Sequence, residues 1–69
     1  MGKDQLALRI RAFRKLKGYT QNELAEQLGV SVAILGSIER GTRKVDAKML
    51  TRISETLGID KSEILDENP

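Results

Sequence analysis

The sequence predicts an all-α fold of five short helices, and three observations carry that prediction. Apolar residues recur at steps of three and four without sustained alternation, so helical stripes are legible and strands are not. Four segments open on residue types that cap helices, at Thr20, Ser31, Asp46 and Asp60. Gly18, Gly29, Gly41 and Gly58 stand where the first four patterns stop, and the single proline is the last residue.

The first helix is expected over 5–17. Leu6, Ile10, Phe13 and either Leu16 or Lys17 form one buried stripe, and Lys15 and Lys17 suit the carboxyl end of its dipole. The second, over 21–28, follows Thr20 with Glu23 three residues on, a capping box, and Tyr19 is placed to staple onto Leu24. The third, over 32–40, takes Ser31 as cap and Val30 with Leu35 as staple. The fourth, over 47–57, takes Asp46 as cap with Val45 and Leu50. The fifth, over 61–66, takes Asp60 as cap, Glu63 as a second box, and Ile59 with Ile64. Each cap contributes about 1 kcal/mol. Connections this short imply one compact domain over 1–69, and the closing "DENP" reads as a frayed end or the start of a linker.

Composition excludes several classes. The 69-residue chain has no cysteine and no histidine, so disulfides and thiolate or imidazole metal sites are out, and no metal or cofactor is expected. Without those residues, and with no carboxylates clustered in an apolar setting, no acid, base or nucleophile constellation points to an enzyme. No apolar run approaches the ~20 residues of a membrane span, so no membrane partner is expected. Nor does the sequence offer a small-molecule site. A cytoplasmic, nucleoid-associated domain is the expectation. Net charge is only +2, but it is unevenly spread. Lys3, Arg9, Arg11, Arg14, Lys15 and Lys17 crowd the start, and Arg40, Arg43, Lys44, Lys48 and Arg52 form a second block. The residues after 52 are mainly acidic. Two basic blocks and an acidic end suggest one face made for an anion.

The segment 21–40 reads as a unit. Leu24 and Leu28 share a face of the second helix, Leu35 and Ile38 a face of the third, and Ala25 between the leucines allows a close helix crossing. Gly29 permits the sharp turn between them. Two short helices so joined leave one standing out from the body.

"YTQNELAEQLGVS" followed by "IERG" resembles the helix-turn-helix of the lambda Cro/cI repressor-like (XRE) family. "IRAFRKLKGYTQ" resembles that family's first helix, and "MLTRISETLGIDKSEIL" its fourth and fifth. The resemblance implies a compact five-helix domain that binds a double-stranded DNA operator as a homodimer, with the third helix in the major groove. Transcriptional regulation, with repression as the expected effect, follows from it. Base reading then falls to Ser31, Val32, Ala33, Gly36 and Ser37, and phosphate contacts to Gln21, Arg40, Thr42, Arg43 and Lys44. Arg11, Lys15 and Lys17 are further phosphate candidates. Arg14 and Glu39 match a buried structural ion pair, and Ile59, Ile64 and Leu65 are candidates for dimer contact or core.

One departure stands out. Family members often carry Gln, Arg or Thr at the reading positions, whereas this chain has Val32 and Ala33. Familiar bidentate readout is absent there, and contact with thymine methyl groups takes its place. Gly36 either lets the helix sit deep in the groove or accommodates a close approach within the protein. The same apolar patch leaves open a second class, a protein–protein interaction module on this fold within a larger regulator.

Overall fold

A computed structural model of the chain describes residues 2–65, with side chains from 5 onward. Among the described residues there are five helices and no strand: α1 (Gly2–Leu16), α2 (Gln21–Leu28), α3 (Val32–Arg40), α4 (Ala47–Leu57) and α5 (Lys61–Leu65). α1 starts before the expected position because its first turn carries no apolar residue, and a stripe marks only where a helix becomes buried. The expected end of α5 at Asp66, and the "DENP" segment, lie outside the described residues.

Ile10, Leu24, Leu28, Leu35, Ile53 and Ile64 are fully enclosed, and Ala25, Ile38, Leu50 and Leu57 complete the core. α1 packs against α3, α4 and α5, while α2 packs against α3 and α4. The helix pair α2–α3 is thereby seated on both sides.

The caps explain how helices this short keep their ends. Thr20 Oγ1 accepts from the Glu23 amide at 3.0 Å and Glu23 Oε1 accepts from the Thr20 amide at 2.9 Å, a complete capping box. Ser31 Oγ accepts from Ile34 N at 3.2 Å, and Asp46 Oδ1 from Met49 N at 2.8 Å. At the other ends, Gly18, Gly29, Gly41 and Gly58 all take positive φ, between 68° and 84°. The residue after each glycine then donates back five residues: Tyr19 to Arg14, Val30 to Ala25, Thr42 to Ser37 and Ile59 to Ser54. These are Schellman turns. Tyr19, Val30 and Ile59 also pack on the core, so one residue closes a helix and staples the next.

Three expectations are corrected. Leu16 is 75% exposed and belongs to no stripe. It lies six residues past Ile10, and at about 3.6 residues per turn that points well away from the buried row; the row runs on through Arg14 instead, which is buried. Ile64 has no exposed surface, so it is core and not a dimer contact. The Glu63 amide donates to the Asp60 carbonyl oxygen at 3.0 Å, so the fifth helix opens in a tight backbone turn in place of a second capping box.

Candidate nucleic-acid interface

α3 presents two different flanks. Leu35, Ile38 and Glu39 point inward and Ile34 packs partly on the core. Ser31, Val32 and Ala33 are exposed, and Ser37 is half-buried. Val32, at 42% exposure, is a large apolar side chain left in water at the free end of a helix. The one acid of α3, Glu39, is buried, so no carboxylate stands on its outer flank.

What fixes α3 is a polar cluster at its inner end. Arg14 Nε donates to Glu39 Oε2 at 2.6 Å and Arg14 Nη2 to Oε1 at 3.2 Å. The third guanidinium nitrogen, Nη1, donates to the Tyr19 carbonyl at 2.9 Å. Gln21 Nε2 donates to the same Glu39 Oε1 at 3.1 Å. One carboxylate thus ties α1, the first residue of α2 and the end of α3 together. The guanidinium fork suits that two-point geometry, and a lysine would not reproduce it.

Beside the cluster lies an open cleft of about 530 Å³, lined by Arg11, Arg14, Tyr19, Thr20, Gln21, Gly36, Glu39 and Arg40. Since Glu39 is matched by Arg14, the cleft's uncompensated charges are Arg11 and Arg40, and both are exposed. Arg11 thus stands nearer the centre of the candidate site than its place among the outlying cations suggested. Gln21 spends one amide hydrogen on Glu39 and keeps the second for another acceptor. The first turn of α2 adds backbone N–H groups that have no helical partner. An anionic oxygen fits this combination of donors and cations.

The remaining predicted contacts are placed as follows. Arg43 and Lys44 are exposed in the loop after α3. Thr42 is exposed too, but its hydroxyl donates to the Ser37 carbonyl at 3.2 Å, and Ser37 Oγ donates to the Ala33 carbonyl at 3.0 Å. Both hydroxyl hydrogens are therefore spent on the helix, and each oxygen can still accept. Ser31 accepts at its cap and keeps its own hydrogen to give. Gly36 is buried at the edge of the cleft, and the Arg40 guanidinium lies beside it: a Cβ built at Gly36 would stand 3.2 Å from Arg40 Nη1. Sequence reasoning placed both residues but missed their contact, although the i, i+4 spacing carries it. Ile59 is half-buried against the core, and Leu65 is 38% exposed. No helix among the described residues is long and apolar enough to cross a membrane.

Five helices, with a capped pair whose second member shows an acid-free outer flank beside basic residues, define a helix-turn-helix protein. The helix-turn-helix family model HTH_3 matches residues 10–64, and the chain belongs to that family. Its relatives are transcriptional regulators. The chain is 54% identical over 56 residues to YazB of Bacillus subtilis, an uncharacterised HTH-type transcriptional regulator, covering 81% of each. It is 40% identical over 60 residues to the HTH-type transcriptional regulator SinR of the same organism, spanning 86% of this chain but 54% of SinR. Among solved structures, the clp gene regulator ClgR of Corynebacterium glutamicum superposes with a TM-score of 0.89 at 34% identity, over 97% of this chain and 87% of that one.

Proposed function

We propose that this DNA-binding regulator inserts α3 into the major groove and reads its operator with the amino-terminal half of that helix. The observation that carries the reading is the acid-free flank of α3, with Val32 and Ala33 exposed and Arg11, Arg40, Arg43 and Lys44 exposed around it. The major groove accepts one helix of this kind. Val32 and Ala33 fit thymine methyl groups, and Ser31 has a hydrogen to donate to a base edge or phosphate. Gln21, held by Glu39, directs its free amide hydrogen to a phosphate at the start of α2, with Arg11 beside it. A homodimer spans two half-sites one helical turn apart, and Leu65 is the most exposed of the described dimer candidates. Action in the cytoplasm, with repression as the outcome, completes the reading.

The test is selection of bound duplexes from random oligonucleotides, followed by a salt titration on the best site and on a scrambled one. A selected sequence bound with affinity that falls steeply with salt supports the proposal. Val32→Gln should then move the preference toward adenine at one position per half-site. Absent or salt-insensitive binding overturns it and favours an apolar protein partner for Val32 and Ala33.

A further inference from the structure

Gly36 and Arg40 share a row of α3 with Val32, at i, i+4 and i+8, and that row lies on the flank assigned above to the groove. Gly36 is buried even though it sits on this outward row and has no side chain. Arg40 Nη1 stands 3.2 Å from where a Cβ would be, so the guanidinium is laid back over the middle of the helix in the space the glycine leaves. An alanine there would press the arginine tip back by a few tenths of an ångström.

The rest of the flank sharpens the point. Ser37 and Thr42 have spent their hydrogens on backbone carbonyls. Val32 and Ala33 have none to give. Arg40 is the one cationic side chain in the span 31–40, and the acid beside it in sequence, Glu39, is held by Arg14 and Gln21. A guanidinium lying beside Gly36 brings N–H donors to the mid-length of the helix. The base edge that matches two parallel N–H donors is O6 and N7 of guanine.

We propose that Gly36 and Arg40 form a single reading element: the glycine leaves the room in which the arginine lies at mid-helix, and the arginine selects a guanine in each half-site. This replaces the phosphate contact expected of Arg40, and it rests on α3 being the groove helix. It also separates the labour on that face, with apolar contact from Val32 and Ala33 and directional hydrogen bonding from Arg40.

The experiment compares wild type, Arg40→Ala and Gly36→Ala on the selected operator and on a panel changed at one base pair at a time, each at several salt concentrations. Wild type should show one G·C pair per half-site whose replacement weakens binding by roughly 5- to 150-fold. Arg40→Ala should lose about the square of that factor on the intact operator, one factor per half-site, and little on a duplex changed at that pair in both half-sites. Gly36→Ala should blunt the same preference while leaving the other positions as they were, and its melting curve reports that it is folded. An equal loss by Arg40→Ala on every duplex, with the salt slope of the dimer reduced by about 1.8, or about 0.9 per half-site, identifies a phosphate contact and overturns the proposal. So does a Gly36→Ala protein with the full wild-type profile. Wild type that binds no duplex fails at the earlier reading, a result distinct from either of these.

Discussion

Glu39 accepts three hydrogen bonds, two from Arg14 and one from Gln21, at a site where its side chain is nearly closed to water. Such a pair adds little net stability, but halving it is costly because the surviving charge stays buried. Arg14→Met should therefore destabilise the protein by about 3–5 kcal/mol. A domain of this length has only roughly 3–10 kcal/mol in total, so the variant should be largely unfolded near 37 °C. Arg14→Met combined with Glu39→Leu should recover most of the loss, since no unpaired charge remains. Urea unfolding followed by circular dichroism checks both; a double variant no more stable than the single one would refute the pairing account. The pair was legible in the sequence through the family resemblance. Gln21 as its third member was not, because a side-chain hydrogen bond across two helices leaves no trace in periodicity.

At the scale of the element, what the sequence showed most clearly were the ends. Polar caps and glycines are local signals, and the helix bounds follow from them. Burial depends on what lies opposite, which is where the stripes misled. Leu16 has an apolar side chain but the wrong angle, and Arg14 has the right angle but a charge that needed a partner from α3. Glycine substitutions separate backbone effects from packing. Gly58 has a φ of 68° and nothing within 4 Å of an added Cβ, so Gly58→Ala carries the left-handed cost alone. We expect a loss of about 1–2 kcal/mol. That lowers the melting temperature by several degrees, at roughly 4–8 °C per kcal/mol. DNA affinity should be unchanged, since Gly58 lines a cleft made by residues of α4, α5 and the turn between them and none of α3. Gly36 is different: its backbone is ordinary helix, where replacing glycine by alanine gains about 1 kcal/mol. Gly36→Ala should thus melt at or above wild type while reading DNA less selectively. Calorimetry of the two variants side by side tests whether position 36 retains glycine for recognition.

For the whole molecule, the question is which surface meets a second copy. The three apolar candidates named from the sequence divide on burial: Ile64 is sealed in the core, Ile59 is half-buried against it, and Leu65 is 38% exposed. Adjacent residues of one helix therefore make opposite predictions. Ile64→Ala should cost about 2–5 kcal/mol of stability by opening a cavity, in dimer and monomer alike. Leu65→Glu should cost the monomer less, about 1 kcal/mol, because Leu65 keeps 38% of its surface exposed. It should nonetheless break the dimer, by placing two carboxylates against each other across the two-fold axis. Sedimentation equilibrium reads the association directly. The salt dependence of DNA binding reads it a second way: with ~3 phosphates neutralised per protomer, the slope of log K against log salt should fall from about −6 for the dimer to about −3 for the monomer. If Leu65→Glu remains dimeric and keeps the steeper slope, the contact lies elsewhere. Leu8 on α1, 60% exposed and outside the buried stripe, would then be the next residue to change, because α1 packs beside α5.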